Sequence, residues 1–471
     1  MIPITEYAGR DVAVFGLGRT GLSAAKALKA GGARVHAWDD NEETRAKAEA
    51  AGLTLTDINK RDWQTYAALV LSPGIPYKFP QPHRIVRMAE MTGVPIVGDM
   101  ELFARAVQTL PERGRPKIVG ITGTNGKSTT TALIGHILKQ AGRDARIGGN
   151  IGTGVLDLAA LHANAIYVLE LSSYQLDLVK SLHCNVAVLL NITPDHLDRH
   201  GGMDGYQAAK MRIFQNQTAR DTAVIGFDDV ITQSIAIGLS ANGPARVIQA
   251  SSTYALGRGV SAVDGRLYDS NGGQATFVGN LAECLALPGQ HNHQNAAAAY
   301  AACRALGLDP QVIMEGLRTF PGLAHRLELV GEVEGVRFIN DSKATNAEAA
   351  EQALKAYKNA YWIAGGVPKA EGIMPLTPHF PNIAKAYLIG DAEETFADTL
   401  KGKVPAQKCG TLERAVEAAY RDAIGSGDPH PVILLSPACA SFDQYRDFEH
   451  RGDVFRSIVE SMMPQELKEL A

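Results

Sequence analysis

Short apolar runs rich in β-branched residues alternate along the chain with longer stretches in which apolar residues recur every three or four positions. The first pattern is typical of strands buried on both faces, and the second is typical of amphipathic helices. Their alternation predicts an α/β protein of parallel sheets with covering helices. The predicted strands are 11–15, 34–38, 69–71, 94–97, 117–121, 166–169, 186–190, 336–339, 360–364, 386–389 and 432–435.

Two proline-containing stretches, the first of them polar, interrupt this pattern and indicate domain boundaries. Residues 110–116 contain two prolines among charged residues, and residues 320–322 read Phe-Pro-Gly. Both compositions are typical of linkers. A length of 471 residues independently favours about three domains. We therefore expect domains at 1–112, 113–321 and 322–471.

The composition excludes several classes of partner. Lys and Arg number 46 against 50 Asp and Glu, which gives a net charge of −4. This balance lacks the excess of positive charge that general binding to nucleic acid or to an anionic membrane surface requires. No apolar run reaches the ~18 residues of a membrane-spanning helix, and the five cysteines lie singly. We expect a cytoplasmic protein without disulfides, structural zinc, bound nucleic acid or a membrane segment.

A glycine-rich turn, Gly16-Leu-Gly18-Arg-Thr-Gly21, follows the first predicted strand and opens a helix predicted over 20–30. The free N–H groups of such a helix start bind phosphate. Asp39 ends the next strand, where a dinucleotide enzyme would hold a ribose hydroxyl. The turn alone leaves three hypotheses open: NAD, another nucleoside diphosphate, or a tight turn with no ligand.

A second glycine-rich turn lies between the strand at 117–121 and a helix predicted over 128–140. Its backbone N–H groups would cradle a phosphate, its lysine would neutralise phosphate charge, and its serine would ligate Mg²⁺. Ile121 stands where the strict motif has glycine. We predict an ATP phosphate site, which disfavours a plain dehydrogenase, at Gly123, Thr124, Asn125, Gly126, Lys127, Ser128 and Thr129.

Acidic and histidine residues follow two further strands of the central region. Glu170 ends the strand at 166–169, and the segment 191–198 contains Asp195 and His196. Carboxylate and imidazole groups at strand ends could hold Mg²⁺, although an N-cap Asp with a capping His is the alternative. Lys210 lies on a helix, and its sequence context predicts a surface lysine.

Further polar groups follow towards the end of the chain. His291 and His293 lack a third ligand, so we reject zinc, and Asn292 and Asn295 could either read an adenine edge or cap a helix. Polar residues at several later strand ends suggest a binding face. For Cys439, a buried thiol is favoured over a nucleophile, because no activating histidine pairs with it in the sequence.

Five motifs follow one another along the chain: G-T-N-G-K-S-T, L-E-L-S-S-Y-Q-L, T-P-D-H-L-D, H-N-H-Q-N-A and N-D-S-K-A-T-N. In this order they resemble the Mur ligase family of bacterial cell-wall enzymes, over nearly the whole chain. The N-terminal G-x-G-x-T-G turn and the late S-P-A-C-A-S-F-D-Q stretch point within the family to the member that adds D-glutamate.

The resemblance implies a Rossmann-like N-terminal domain for the UDP-sugar, a central P-loop ATPase-type α/β domain, and a Rossmann-like C-terminal domain for the amino acid. It implies ATP-dependent joining of D-glutamate to UDP-N-acetylmuramoyl-L-alanine through an acyl phosphate, in peptidoglycan precursor synthesis. Implied cofactors are ATP, Mg²⁺ at two sites, and a carbamate on Lys210, since a carbamate oxygen, unlike an ammonium, can ligate Mg²⁺. We expect a monomer whose partners are these small-molecule substrates.

The resemblance also implies roles for individual residues. The implied catalytic group is Lys127, His196, Lys210 and Lys343, and the metal ligands are Ser128, Glu170, His196 and Lys210. Besides the phosphate loop, the ATP contacts are Asn292, Asn295, Arg326 and Asp341. The UDP-sugar contacts are Gly18, Arg19, Thr20, Asp39, Asp40, Ser72, Pro73, Gly74 and Asn150, and the D-glutamate contacts are Thr345, Lys369, Ser441 and Phe448.

Three alternatives stay open at this stage. One is a sister ligase that adds another amino acid, or folylpolyglutamate synthase, although the D-N-P-R tetrapeptide typical of the diaminopimelate-adding relative is absent from this chain. The second is an NAD-dependent oxidoreductase, on the strength of residues 16–21. The third is a nucleotide-binding regulator without turnover.

Overall fold

The computed structural model of the chain describes residues 1–463. The chain forms two compact units, the first made of residues 1–281 and 290–318, and the second made of residues 282–289 and those from 319 onward. The first unit contains two β-sheets and the second contains one. Among the described helices, none has the length and apolar character needed to cross a membrane.

The first sheet consists of four parallel strands, β1 (Asp11–Phe15), β2 (Arg34–Trp38), β3 (Tyr66–Leu71) and β4 (Ile96–Val97), in the order β2-β1-β3-β4. Alternate residues of β1 face opposite sides, so that Val14 packs in one apolar cluster and Phe15 in another. Burial on both faces explains why the strand reads as an unbroken apolar run. The associated helices are α1 (Arg19–Ala30), α2 (Glu42–Ala50), α3 (Arg84–Thr92) and α4 (Asp99–Gln108).

The second sheet of this unit has nine strands in the order β13-β12-β11-β10-β9-β8-β5-β7-β6, with bounds given below. From β6 across to β11 in this order, every adjacent pair of strands is parallel, whereas β12 pairs antiparallel with both β11 and β13. Because β5 lies between β7 and β8, the segments that follow these three strands emerge side by side. The strands are β5 (Lys117–Thr122), β6 (Asp144–Gly149), β7 (Ala165–Glu170), β8 (Val186–Leu189), β9 (Thr222–Gly226), β10 (Arg246–Ser251), β11 (Val260–Val263), β12 (Arg266–Asp269) and β13 (Thr276–Asn280).

The helices around this second sheet differ widely in length. The long helix α10 packs against α5 and against β8 to β11. The helices are α5 (Lys127–Gln140), α6 (Ser173–Asp177), α7 (Leu197–His200), α8 (Met203–Met211), α9 (Val230–Asn242), α10 (Gln290–Ala305) and α11 (Pro310–Arg318).

The second unit is built on a six-stranded sheet in the order β14-β15-β19-β16-β17-β18, in which only β14 is antiparallel to its neighbour. Trp362 and Ile363 lie side by side in one strand but pack in different apolar clusters, one on each face. The strands are β14 (Glu328–Val333), β15 (Val336–Asn340), β16 (Ala360–Gly365), β17 (Ile383–Ile389), β18 (Ala406–Gly410) and β19 (Val432–Leu435), and the helices are α12 (Ala347–Ala356), α13 (Glu393–Leu400), α14 (Leu412–Ile424) and α15 (Phe448–Met462).

Each strand predicted from the sequence is present, with ends that shift by a few residues. The predicted helices over 20–30 and 128–140 are also present, each with one additional residue at its start. The strands that were missed include those at the edges of the two larger sheets, β6, β13, β14 and β18. An edge strand exposes part of its surface and carries polar residues, so it lacks the apolar run that identifies a central strand.

Candidate active site

The phosphate loop joins the end of β5 at Thr122 to the start of α5 at Lys127. Gly123 and Gly126 have φ angles of 154° and 82°, a region that favours glycine. A Cβ atom on Gly126 would also lie 2.2 Å from Oδ1 of Asn295. The loop therefore needs glycine at this turn for two reasons, and it directs the free N–H groups of the α5 N-terminus towards any bound anion.

Two lysine side chains converge on one backbone oxygen of this loop. The carbonyl oxygen of Gly123 accepts hydrogen bonds from Lys127 Nζ at 3.0 Å and from Lys210 Nζ at 2.7 Å. Lys210 is only 1% exposed, so the prediction from sequence context that it is a surface lysine is wrong. Burial, together with the positive charge of Lys127, lowers the pKa of Lys210 to about 7.

Glu170 ends β7, directly beside β5 in the sheet. Its side chain is buried, and its Oε1 atom accepts a hydrogen bond of 2.7 Å from Asn150 Nδ2. Its Oε2 atom is buried without a hydrogen-bond partner in the part of the chain that the structure describes. A buried carboxylate oxygen is costly unless a donor or a cation satisfies it. The site therefore fits a divalent cation.

Protein side chains alone do not complete a metal site here. Within residues 1–463, no group of three or more His, Cys, Asp or Glu side chains is arranged to hold a metal ion. Mg²⁺ prefers oxygen ligands and keeps several that are not protein carboxylates. Glu170 and the hydroxyl of Ser128, which lies in the first turn of α5, would therefore need phosphate, water or carbamate oxygens to complete the coordination.

The segment after β8 lies against the phosphate loop. Asn191 accepts a hydrogen bond from the Asn125 backbone N–H at 2.8 Å and donates one to the Asn125 carbonyl at 3.2 Å. Farther along, His196 Nε2 lies 3.3 Å from Asp195 Oδ2, and His196 has a φ of 52°. His196, not Asp195, occupies the N-cap position of α7, and its side chain makes no capping hydrogen bond. The alternative of an N-cap Asp with a capping His is therefore wrong.

The two predicted amide side chains lie together beside the loop. Asn295 Nδ2 donates a hydrogen bond of 3.1 Å to Asn292 Oδ1, and both residues are buried. Asn295 lies inside α10 and close to Gly126, so its side chain does not cap the helix start. Its position favours the ligand-contact hypothesis over capping.

The N-terminal glycine turn is closed by side chains from neighbouring strands. The carbonyl of Gly16 accepts a hydrogen bond of 2.6 Å from Ser72 Oγ, and a Cβ atom on Gly21 would lie 1.7 Å from that carbonyl oxygen. The carboxylate of Asp39 accepts the backbone N–H groups of Leu17 at 2.7 Å and Asn41 at 2.8 Å. Asp39 therefore fixes the shape of the turn.

Other predicted UDP-sugar residues surround this turn. Gly18 is the N-cap of α1, with Arg19 and Thr20 in its first turn. Asp40 is paired with His83 at 3.2 Å. Pro73 and Gly74 follow β3, and the carbonyl of Gly74 accepts a hydrogen bond from Arg199 at 3.1 Å.

Arg19 connects the N-terminal turn to the central sheet. Its guanidinium donates hydrogen bonds of 2.9 Å to the carbonyl oxygens of Asn150 and Gly152. Asn150 in turn donates its side-chain amide to Glu170. Within the first unit, Asn150 therefore contacts both Arg19 of the predicted UDP-sugar turn and Glu170, the predicted metal ligand.

Except for Arg326, which precedes β14, the predicted residues of the second unit follow β15, β16 and β19, which are adjacent and parallel. Asp341 is buried, and burial raises the pKa of its carboxyl to about 7. It accepts hydrogen bonds from Ser436 Oγ at 2.7 Å and from the Leu327 backbone N–H at 3.2 Å. Arg326 lies one residue before Leu327, so these two predicted ATP contacts are close together.

The predicted D-glutamate residues differ in exposure. Lys369 is exposed on the segment after β16, Thr345 is half-buried after β15, and Ser441 is buried after β19. The half-buried ring of Phe448 starts α15, with its centroid 5.3 Å from Lys343 Nζ. Because β15, β19 and β16 are adjacent and parallel, the segments that carry these residues emerge at the same end of the sheet.

The thiol of Cys439 is fully buried, and burial raises its pKa to about 12. A thiol with a raised pKa is a poor nucleophile. The prediction of a buried thiol is confirmed.

Arg451 stabilises the segments at this end of the sheet, and the sequence did not predict this role. It is 1% exposed, and burial lowers its pKa to about 10. Its guanidinium donates to Ser342 Oγ at 2.9 Å, to the Ser342 carbonyl at 2.8 Å and to the Cys439 carbonyl at 3.1 Å. One arginine therefore holds the segments after β15 and β19 together. An arginine in an amphipathic helix carries no sequence signal for such a role.

Family models match three parts of the chain. The N-terminal domain of MurD-like Mur ligases matches residues 10–98, the Mur ligase middle domain matches residues 121–303, and the glutamate ligase domain of Mur ligases matches residues 325–439.

Several curated relatives named UDP-N-acetylmuramoylalanine–D-glutamate ligase are similar over nearly their whole length. The relative from Caulobacter sp. strain K31 is 58% identical and covers 98% of both chains. The relative from Rhodospirillum rubrum is 53% identical over 98% of this chain and 96% of its own. The relative from Brucella abortus strain 2308 is 51% identical over 98% of this chain and 97% of its own.

Solved structures with lower identity share the fold. UDP-N-acetylmuramate-alanine ligase MurC from Thermotoga maritima aligns with a TM-score of 0.57 at 18% identity, over 96% of this chain and 100% of its own. A UDP-N-acetylmuramoyl-L-alanyl-D-glutamate–2,6-diaminopimelate ligase aligns with a TM-score of 0.58 at 19% identity, over 98% of this chain and 94% of its own.

Proposed function

Because the chain belongs to the Mur ligase family, we propose that it joins D-glutamate to UDP-N-acetylmuramoyl-L-alanine in an ATP-dependent reaction of peptidoglycan precursor synthesis. The family, the three-domain α/β architecture and the ligase activity predicted from the sequence are confirmed by the family models and the relatives. The substrates are those in the name that the relatives share. This assignment replaces the oxidoreductase hypothesis for residues 16–21.

The observation that carries the proposed chemistry is the combination of a lysine-bearing phosphate loop and a buried carboxylate with an unpartnered oxygen. Lys127 and the α5 N-terminus supply positive charge and N–H donors, and Glu170 Oε2 is a buried oxygen that a cation would satisfy. These groups fit the phosphates of ATP and Mg²⁺, the cosubstrate and metal that ligases of this family use. Mg²⁺ bound there would neutralise phosphoryl oxygens as their charge shifts.

The reaction begins when the alanine carboxylate of the precursor attacks the γ-phosphorus of ATP and ADP leaves. The amine of D-glutamate then attacks the carbonyl of the resulting acyl phosphate, loses a proton, and phosphate departs as the amide forms. Two anions must meet in the first step. In our proposal Lys127 lowers that barrier, because its ammonium lies at the loop that would hold the phosphates.

For Lys210 we propose a carbamate formed when its neutral amine attacks CO₂ and releases a proton. Burial and the neighbouring charge of Lys127 lower the lysine pKa to about 7, so a large fraction of the amine is neutral near pH 7. The carbamate would turn a cation into an anionic oxygen ligand. With His196 it would form a second Mg²⁺ site, and Ser128 and Glu170 would form the first.

The proposed contacts with the UDP-sugar lie at the start of α1, next to the first sheet. We propose that the N–H groups at Gly18 to Thr20 and the guanidinium of Arg19 bind the UDP diphosphate, because α1 begins there. We also propose contacts from the other UDP-sugar residues predicted from the sequence. Of these, Asp39 and Ser72 hydrogen-bond to the turn and Asn150 contacts Arg19, while Asp40, Pro73 and Gly74 adjoin Asp39 and Ser72 in the sequence.

In the second unit, we propose that Lys369 supplies the cation for the two carboxylates of D-glutamate, which would otherwise lose water without a partner. Thr345, Ser441 and Phe448 would complete that site, with Lys343 as its catalytic lysine. Asn292, Asn295, Arg326 and Asp341 remain our proposed adenine and ribose contacts. We also propose domain boundaries at 1–112, 113–321 and 322–471, and a cytoplasmic monomer.

Phosphate release from ATP tests the substrate assignment directly. We expect release only when UDP-N-acetylmuramoyl-L-alanine and D-glutamate are both present. L-alanine, L-glutamate and diaminopimelate in place of D-glutamate test the sister activities, and NAD reduction tests the oxidoreductase. Release that needs diaminopimelate, or that needs neither substrate, would contradict the assignment.

A further inference from the structure

The buried side chain of His200, in α7, lies between Ser173 and the partly exposed carboxylate of Asp177. His200 Nε2 lies 2.9 Å from Ser173 Oγ, and His200 Nδ1 lies 3.1 Å from Asp177 Oδ2. The tautomer that accepts the serine O–H at Nε2 carries its proton on Nδ1, the nitrogen nearest the carboxylate. The imidazole ring is therefore held by a hydrogen bond at one nitrogen and by a carboxylate contact at the other.

The same three residue types form the nucleophile, base and orienting acid of many hydrolases. Here Ser173 is only 3% exposed, so a substrate carbonyl has no access to its oxygen. The contacts with Ser173 and Asp177 therefore fix the ring of His200, and they do not activate Ser173 as a nucleophile.

Two tyrosine rings pack on the fixed imidazole. Tyr174 stacks on His200 with ring centroids 5.5 Å apart and an interplanar angle of 14°, and Tyr206 lies at 5.4 Å. The Tyr174 ring also lies 5.0 Å from the ring of His196. The Tyr206 ring lies 4.5 Å from Lys210 Nζ. His200 therefore touches both rings on which His196 and Lys210 rest.

Tyr206 also connects His200 to the phosphate loop itself. Its hydroxyl lies 3.1 Å from Thr124 Oγ1. Thr124 Oγ1 additionally accepts the Thr193 backbone N–H at 3.0 Å. A shift of the Tyr206 ring would therefore reach both the loop and the segment that leads to His196.

We propose that His200 is a positioning residue, which fixes Tyr174 and Tyr206 and through them the side chains of His196 and Lys210. Packing alone would not call for an imidazole here, because an apolar ring fills the same space without burying polar atoms. The inference rests on the proposed function, in which His196 and Lys210 lie at the second metal site.

The test compares His200→Ala with His183→Ala in the full chain. His183 is a matched control because it is a histidine of the same unit paired with a carboxylate, Asp221 at 2.8 Å, and it contacts none of the rings above. Calorimetry would measure binding of a non-hydrolysable ATP analogue with and without Mg²⁺, and separately binding of UDP-N-acetylmuramoyl-L-alanine. Neither measurement needs turnover.

We expect His200→Ala to weaken Mg²⁺-dependent binding of the analogue about tenfold, while UDP-precursor binding stays within twofold and His183→Ala leaves both unchanged. Unchanged analogue binding, or equal losses for both ligands, would overturn the positioning role. If His200→Ala does not fold, Asp177→Ala decides in the same way, because it removes the carboxylate next to His200 Nδ1 at a position that is partly exposed. Failure of the wild-type protein to bind the analogue with Mg²⁺ would instead refute the proposed function.

Discussion

The side-chain nitrogen of Lys210 donates a hydrogen bond of 2.7 Å to the carbonyl oxygen of Gly123, in the loop that joins β5 to α5. The lysine is buried, and Lys127 approaches the same oxygen. Burial and the neighbouring positive charge of Lys127 disfavour the protonated form of Lys210. This arrangement gives Lys210 chemistry that a solvent-exposed lysine lacks.

The first prediction concerns the pH dependence of stability. The pKa of Lys210 is lowered from 10.5 to about 7 in the folded state, so the unfolded chain binds more protons between these values. The free energy of unfolding should therefore rise with pH across that window, by up to about 1.4 kcal/mol per pH unit from this group. Below pH 7, Lys210 is protonated in both the folded and the unfolded state, and the full free-energy cost of burying its charge applies.

Lys210→Met removes this cost and should unfold at higher temperature than the wild type near pH 7. The difference should shrink as pH approaches 10. Thermal unfolding in CO₂-free buffer measures it, with Lys139→Met as an exposed control. Parallel curves for Lys210→Met and the wild type across this range would contradict the lowered pKa.

The second prediction concerns the carbamate. Lys210→Ala should lose at least a hundredfold in ligase turnover, because a metal ligand is missing, and formate should restore part of it by occupying the vacated position. Lys210→Arg should stay inactive, since guanidinium keeps its charge and forms no carbamate under these conditions. Steady-state turnover at saturating substrates measures both variants. An active arginine variant would refute the carbamate.

The sequence predicted the position of Lys127 but not that of Lys210. Lys127 was predicted because its motif fixes its position between a strand and a helix. Lys210 was misread from its context, because helical periodicity does not show that Tyr206 and the Gly123 carbonyl enclose its side chain. Its role came only from the family resemblance.

The same limit applies to the fold. Central strands such as β16 were found because burial on both faces demands apolar residues, whereas the edge strand β18 has mostly exposed side chains. Arg451 and His200 were missed for a related reason. Their burial depends on partners distant along the chain, such as Ser342 for Arg451, and no local spacing encodes these contacts.

The third prediction concerns the unpartnered oxygen of Glu170. Glu170→Gln keeps the size of the side chain and can still accept the Asn150 hydrogen bond, but it removes the negative charge. We expect the Mg²⁺ concentration for half-maximal activity to rise at least tenfold, while binding of the UDP-precursor stays unchanged. Glu112→Gln, at an exposed position of the same unit, is the control. An unaltered Mg²⁺ requirement would exclude Glu170 as a ligand.

The fourth prediction concerns amino-acid binding. Lys369→Ala should raise the KM for D-glutamate about tenfold or more, because a charged hydrogen bond to a carboxylate contributes roughly 1.5–3 kcal/mol. Affinity for the UDP-precursor should be unchanged, since its proposed site lies in the first unit. Initial rates at varied D-glutamate measure the effect, and Lys401→Ala serves as an exposed control in the same unit. Equal losses for both substrates would indicate misfolding and count against the assignment.

The transfer of oxygen between substrates tests the central claim, ligation through an acyl phosphate, most directly. UDP-N-acetylmuramoyl-L-alanine labelled with ¹⁸O in its alanine carboxylate would be turned over with ATP and D-glutamate, and the released phosphate analysed by mass spectrometry. We expect one ¹⁸O atom in each phosphate derived from a fully labelled carboxylate, because that oxygen bridges carbon and phosphorus in the intermediate. Product formation with unlabelled phosphate would contradict it.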